Sequence, residues 1–477
     1  MSSDAARYSD LQYPAFKTAF TEFIGVGRNG HLWVEGRDCV DLAETFGTPL
    51  YVLSESQLRH NFRRFRDAFQ SRHANTVDVL FANKSNNALA VRHIMNQEGA
   101  GGDCFGVNEL YIALLAGTDP ATLVLNGSNK TEEEIELAVQ NGVCINLDAV
   151  DEVDLVNAVA ERLGKDIDVG IRVKLELKAL ESRTGHGAHG DGTLAEQGRN
   201  HKWGMPFDQT VAMVKRIQES MPRLKLKELS DHLGRSSNVA EDFAHMAREL
   251  VAWAARVREV TGWTAPYIDI GGGWAWGRPE KTGPDGADDA STPTFEDFAA
   301  AVCPAIADEC QTRNFPLPKL KIEPGRAISA SAGVTLGRVG AIKEWLGVRT
   351  WVNVDCSTNH LIRIMSAHWY HHIIAANKAD HEATETVTVV GPLCSLDHLG
   401  DHRRLPPLER GDLIALLDTG SYSESTSANY NAQLRPATVM VCGEQADIST
   451  RRETRSDVIG RYQVPARLLA RSFRQKS

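Results

Sequence analysis

The sequence predicts an α/β plus β protein: a (β/α)8 barrel of the TIM type, joined to a second all-β domain of Greek-key character. Three observations point there. Between about residues 54 and 330, eight short apolar runs alternate with stretches of helical period. After residue 330 the pattern turns to β-like runs alone. The length of 477 residues suits two or three domains of ~100–200 residues each.

At the N-terminus, HLWVEG (31–36) and TPLYVLS (48–54) read as strands that join the C-terminal β region, so residues 1–54 are assigned to a β unit built from both chain ends. Ser54 is placed to cap a helix whose apolar residues Leu58, Phe62, Phe65 and Phe69 recur at helical spacing. The barrel, residues 55–329, takes its strands from VLFANK (79–84), DCFGV (103–107), TLVLNGS (122–128), CINLDA (144–149), VGIRVK (169–174), LKELSDHLG (226–234), YIDIGGG (267–273) and LKIEPGR (320–326). Helical stretches such as EEEIELAVQNG and FAHMARELVAWAARVREVTG separate them, so each strand returns parallel to the last. Eight such units favour a closed barrel over an open doubly wound sheet. Residues 183–204, glycine-rich and poor in apolar side chains, are expected as a long loop at the barrel mouth, and 277–297 as a surface excursion. RTWVNVD, TVTVVG, DLIALLD and ATVMVCG then supply the strands of the C-terminal domain, 330–477.

Composition narrows the function. Lys plus Arg number 52 against 62 Asp plus Glu, a net charge of −10, which argues against nucleic acid as partner and for a small molecule. No run approaches the ~18 apolar residues of a membrane span, so no membrane partner is expected. The N-terminus lacks the basic and apolar order of a signal peptide, and the eight cysteines show no CxxC pair; both point to a cytoplasmic protein.

In a barrel of this type chemistry sits at the C-terminal strand ends. There the sequence puts Lys84, Asp103, Asn126, Arg172, His232, Gly271 to Gly273, Glu323 and Arg326. A lysine directly after an apolar run has its amine at the mouth, where desolvation would lower its pKa toward nucleophilic use. The Gly271–Gly273 turn lets backbone amides approach a phosphate, and the EPGR stretch adds a guanidinium that can grip it bidentately. Together these suggest pyridoxal 5′-phosphate. Glu323 could then face the pyridine nitrogen or serve as a buried partner of Arg326; His232 could stack on the ring or pack in the core. Trp274 and Trp276 could wall a pocket or pack. His186, His189 and Asp191 have the character of metal ligands but lack a firm scaffold, so no metal is expected.

In order along the chain, FANKSNN, GGDCFGVNEL, NGSNKTEEE, DHLG, IDIGGG, EPGR, GPLC and LLDTGSYSESTSANYN resemble the fold-type III pyridoxal-phosphate decarboxylases, which include the diaminopimelate, ornithine and arginine decarboxylases and share the alanine-racemase-like fold. The segment SANYNAQLRPATVMV followed by ISTRRETRSD is similar to the D-ornithine/D-lysine decarboxylase branch. The resemblance implies that Lys84 carries the cofactor covalently, that Glu323 bonds the pyridine nitrogen, and that His232 stacks on the ring. Asp103, Arg235, Ser236, Gly271, Gly272, Gly273, Gly325, Arg326 and Tyr422 would complete the cofactor site. Cys394 would protonate the α-carbon after carbon dioxide leaves, reaching the site from a neighbouring subunit, so a homodimer with shared sites follows. Arg363, Ser395, Asp397 and Tyr430 would contact substrate.

The chain departs from the family pattern at three places. Arg235, followed by Ser236 and Ser237, stands where the phosphate loop usually has a small residue. Ser395 replaces an acidic residue, and Ala367 replaces a tyrosine on the strand resembling LIRIMSA. Asp397 lies three residues after the cysteine rather than four. The expected activity is that of a carbon–carbon lyase, a pyridoxal-phosphate-dependent α-decarboxylase of a diamino or cationic amino acid. The rivals are an amino-acid racemase or epimerase on the same fold and a non-catalytic regulatory paralogue.

Overall fold

The structure, a computed structural model, describes residues 22–183, 192–234, 237–275 and 292–468. Strands β1 (Ile24–Val26), β2 (Leu32–Val34) and β3 (Arg37–Asp38) form a three-stranded antiparallel sheet of their own. HLWVEG joins the β domain without a ladder in the larger sheet: β2 has β1 and β3 as its neighbours, and it meets the domain through Leu32 N–H, which donates to Ala376 O at 2.7 Å, and through Leu32 and Val34 in its core. By contrast, β4 (Leu50–Ser54) is buried along its whole length and lies mid-sheet in the second domain.

Eight parallel strands close the barrel: β5 (Val77–Ala82), β6 (Gly101–Phe105), β7 (Leu123–Asn126), β8 (Cys144–Leu147), β9 (Ile167–Arg172), β10 (Leu224–Ser230), β11 (Tyr267–Asp269) and β12 (Lys319–Ile322). Closure comes where β12 pairs with β5, Leu320 opposite Val77. Each of the eight apolar runs supplies one strand.

The second domain adds β13 (Gly333–Trp345), β14 (Arg349–Val354), β15 (Ile373–Ala375), β16 (Glu385–Val390), β17 (His398–Leu405), β18 (Leu413–Leu417), β19 (Ala437–Cys442) and β20 (Gln445–Thr450). With β4 they make a nine-stranded sheet. It is mixed rather than purely antiparallel, because β14 runs parallel to β16 and β4 parallel to β19. The domain also holds short helices. LIRIMSA is one of them, Ile362–Ala367, not a strand: Leu361 and Ile364, three residues apart, put their side chains into one core.

Part of the expected mouth loop is also helical. Leu194–Asn200 begins with a capping box in which Thr193 and Glu196 each satisfy the other's backbone N–H. His186, His189 and Asp191 lie outside the described residues, as does Trp276. Among the described residues no group of three or more His, Cys, Asp or Glu side chains could hold a metal, and no helix is long and apolar enough to cross a membrane.

Helix α1 (Glu55–Gln70) starts as its sequence predicts, with Ser54 accepting from the Gln57 N–H. Its Phe65 and Phe69 meet α2 (Ala240–Thr261) and α3 (Phe295–Thr312) around Trp274, which stacks on Phe243 at 4.5 Å between ring centroids. Trp274 thus packs; its Nε1–H donates to the Gly271 carbonyl at 2.9 Å and pins the glycine turn to this aromatic core. Truncating a side chain so placed typically costs ~3–5 kcal/mol.

Candidate active site

One cavity of about 350 Å³ opens where the strand ends of the barrel meet the β domain, and Lys84, His232, Gly271, Gly272, Gly273, Glu323, Gly325, Arg326, Arg363 and Tyr422 all line it. The two domains build it jointly. Lys84 sits in a single helical turn after β5, and the C-terminal domain holds that turn in place: Tyr422 N–H donates to Ser85 O at 2.7 Å, Ser425 Oγ to Lys84 O at 3.1 Å, and Asn86 Nδ2 to Gly420 O at 3.0 Å.

Lys84 Nζ donates to Asp103 Oδ2 and stands 4.6 Å over the Phe105 ring. Burial opposes its charge, but Asp103, Tyr422 and Glu323 together outweigh burial and hold the ammonium above its ordinary value. The sequence expectation of a lowered amine is corrected here, because apolar runs show desolvation and not the carboxylate on the next strand. Glu323 is also pushed up, which for a carboxyl favours the neutral form. Burial raises its carboxyl, and Asp103 and Asp269 add to the effect. Asp269 at the end of β11 is pushed up to about 7 by burial and then by Glu228.

The glycine turn adjoins these carboxylate residues: Gly271 N–H donates to Asp269 Oδ1 at 2.8 Å, and Glu323 N–H donates to Gly271 O at 2.9 Å. Gly271 and Gly273 have φ of +64° and +95°, and a Cβ on Gly273 would stand 1.9 Å from Gly234 O. Only glycine lets the two backbone segments close up this way. His232 packs its ring against the same turn: a Cβ on Gly271 would stand 2.9 Å from its Cγ, and its Nδ1 accepts from Gly234 N–H at 2.7 Å. Arg326 opens a short helical turn after β12, donates to Gly273 O at 3.4 Å and lies 5.6 Å over the Trp369 ring. The Arg363 guanidinium lies 5.0 Å over Tyr422, whose ring is edge-on to Trp369.

These features fit pyridoxal phosphate. A glycine cradle that any Cβ would fill, a buried arginine, a lysine and a carboxylate line one cavity. Ser230 Oγ, buried on the cavity wall without a hydrogen-bond partner, is one more donor facing the space.

The remaining sequence candidates lie elsewhere. Arg235 and Ser236 fall outside the described residues. Cys394, Ser395 and Tyr430 are exposed and do not line the cavity of their own chain; Cys394 Sγ and Tyr430 Oη are 3.1 Å apart. Asp397 is buried and turned inward, its carboxylate accepting from Thr358 N–H and Oγ1 and from Leu393 N–H. It ties the GPLC turn together, so its expected contact with substrate is not seen. Sequence reasoning assigned no role to Phe105, Trp203, Ser230, Asp231, Asp269 and Trp369, which also line the cavity. Phe105, Asp231 and Asp269 stand within matched motifs and Ser230 directly beside one, so they could have been found there; the two indoles carry no local signal.

Known proteins were compared with this chain. The family model described as pyridoxal-dependent decarboxylase, pyridoxal binding domain, matches residues 55–330. The diaminopimelate decarboxylase of Methanothermobacter thermautotrophicus is 33 % identical over 449 residues, 94 % of this chain and 99 % of that protein. That of Archaeoglobus fulgidus is 33 % identical over 448 residues, 92 % of this chain and 99 % of that one. A crystal structure of the diaminopimelate decarboxylase of Methanocaldococcus jannaschii matches with a TM-score of 0.85 at 29 % identity, covering 94 % of this chain and 100 % of that one. Barrel, glycine turn, lysine and relatives agree with the resemblance read from the motifs: the chain belongs to the family of pyridoxal-phosphate-dependent decarboxylases.

Proposed function

We propose that this decarboxylase releases carbon dioxide from the α-carbon of a diamino acid with a carboxylate at each end, as in diaminopimelate, and that Lys84 carries the cofactor. The observation that supports this best is that Lys84, Glu323, the Gly271–Gly273 turn, Arg326 and Arg363 all line one cavity. When bound, pyridoxal phosphate supplies an electron sink for the bond from which carbon dioxide leaves. The turn's N–H groups, Arg326 and Tyr422 would hold the phosphate. Glu323 would face the ring nitrogen, and His232 would stack on the ring. The ammonium of Lys84 must lose a proton before its nitrogen can attack, and Asp103 Oδ2 is the base in contact with it. Arg363 would take the distal carboxylate of the substrate.

Cys394 would return the proton to the α-carbon. Its thiol is exposed on its own chain and away from that chain's cavity, so a second copy must present it, and the enzyme is proposed as a homodimer with shared sites. Leu396, two residues on, is 82 % exposed, an apolar contact point of the kind a subunit covers. Free cysteines throughout the described residues support a cytoplasmic setting.

Borohydride reduction of the purified holoenzyme, followed by peptide mass analysis, should place the cofactor adduct on Lys84. Carbon dioxide release from the L-, D- and meso-forms of diaminopimelate, and from L- and D-ornithine and lysine, should be fastest with a diaminopimelate isomer. An unmodified Lys84 would refute the cofactor assignment; faster turnover of ornithine or lysine would refute the role given to Arg363.

A further inference from the structure

At the cavity wall, Asp103 and Glu323 are joined by the amide of a lining residue, Asn126. Asn126, the last residue of β7, donates from Nδ2 to Asp103 Oδ1 at 2.9 Å and to Glu323 Oε1 at 2.7 Å. An NH₂ group has two hydrogens, so both are used. Its Oδ1 accepts from Asn146 Nδ2 at 3.0 Å. Turned over, the Asn126 amide would set its oxygen against two carboxylate oxygens and its NH₂ against that of Asn146, so only one orientation is stable.

The surroundings are shaped for this arrangement. Asn126 and Asn146 are buried on the adjacent strands β7 and β8. On β9 the facing position is Gly170, where a Cβ would stand 1.9 Å from Asn146 Oδ1. The barrel omits a side chain there and seats an amide in its place. Lys84 completes the row through Asp103 Oδ2.

We propose that Asn126, locked by Asn146, is a positioning residue that determines which oxygen of each carboxylate faces the cavity, Oδ2 of Asp103 toward Lys84 and Oε2 of Glu323 toward the cofactor ring, and so couples the two ends of the cofactor site. This rests on the reading that Lys84 carries the cofactor and Glu323 faces its ring. The consequence is electrostatic. A carboxylate that accepts a hydrogen bond holds its charge more easily, and one that loses the donor binds protons more tightly. Removing the shared donor strengthens the pull of Asp103 on the proton at the Lys84 nitrogen and cuts the hydrogen-bonded link between that nitrogen and Glu323, leaving only their weaker through-space interaction.

The test is a pH titration of the visible absorbance of the Lys84-linked cofactor in the full-length holoenzyme, for wild type, Asn126→Leu, Glu323→Gln and the double variant. Asn126→Leu should move the midpoint up by about one pH unit. It should also lower kcat about tenfold while changing KM less than about threefold. Glu323→Gln should shift the wild-type midpoint, and at least half of that shift should vanish in the Asn126→Leu background. Additive shifts, or an unmoved midpoint in Asn126→Leu, would overturn the proposal. Should Asn126→Leu fail to fold, Asn146→Ala decides: a smaller upward shift supports the coupling, and no shift overturns it. A spectrum indifferent to Glu323→Gln would sink the reading of Glu323 and this inference with it, whereas one that answers to Glu323→Gln but not to Asn126→Leu sinks the inference alone.

Discussion

Cys394 holds its proton less firmly than an ordinary thiol, because the hydrogen bonds from Tyr430 and Asn431 favour the thiolate. Tyr430 is affected in the opposite sense, its phenol raised by the same contact; once the sulfur is a thiolate, the hydroxyl is the donor of the pair. As a proposed proton donor Cys394 must be protonated, and the rate should fall as pH rises through its lowered pKa. Cys394→Ala should slow amine formation by ~10²–10⁴-fold, the usual worth of a positioned acid, with the absorbance of the bound cofactor unchanged. Tyr430→Phe removes the donor that stabilises the thiolate, so the thiol pKa rises and the alkaline limb of the kcat–pH profile should move up. An alkaline limb that stays put in Tyr430→Phe would mean that another group sets it.

At the scale of elements, the glycine turn after β11 shows what could and could not be read from the residues. YIDIGGG is visible as a strand followed by a flexible turn, and the turn is indeed where two positive φ angles occur. What local pattern cannot show is the partner backbone: Gly234 O, 39 residues earlier in sequence, lies where a Cβ of Gly273 would sit. Gly273→Ala should therefore weaken cofactor binding to the apoenzyme tenfold or more, at ~1.4 kcal/mol per factor of ten, read by fluorescence quenching on titration. The melting temperature of the apoenzyme should fall as well, because the added Cβ must displace the Gly234 backbone and sits at a positive φ; a folded variant that binds the cofactor as tightly as wild type would remove the turn from the phosphate site. The same limit explains the other differences. The barrel strands were legible because most are buried apolar runs, and β10 and β12 still bury most of their apolar residues while the lysines between them are half-buried or exposed. HLWVEG was legible as a strand of the β unit, but not its pairing in a separate small sheet, which depends on neighbours that the local pattern does not name. LIRIMSA could pass for a strand because its apolar residues fit periods of two and of three equally well over so short a stretch.

For the whole molecule, the division of labour between domains makes the site a composite. The barrel supplies Lys84, Glu323 and the glycine turn, and the β domain supplies Arg363 and Tyr422 and holds the backbone turn on which Lys84 sits. Cys394 belongs to that domain as well, yet points away from its own cavity, and a second copy related by a twofold axis would exchange two cysteines for two. The arrangement has a consequence that no single-chain site would share. Lys84→Ala and Cys394→Ala are each expected to be nearly inactive alone. Mixed under conditions that let subunits exchange, they should form heterodimers in which one site has lost both residues and the other has kept both. Random pairing makes half of the dimers heterodimeric with one intact site of two, so activity should recover to about a quarter of the wild-type value. The recovery should appear with the time course of exchange followed by native mass spectrometry. Mixtures that exchange subunits completely and stay inactive would place Cys394 outside the partner's site and return the search for the proton donor to groups within one chain, Lys84 first among them.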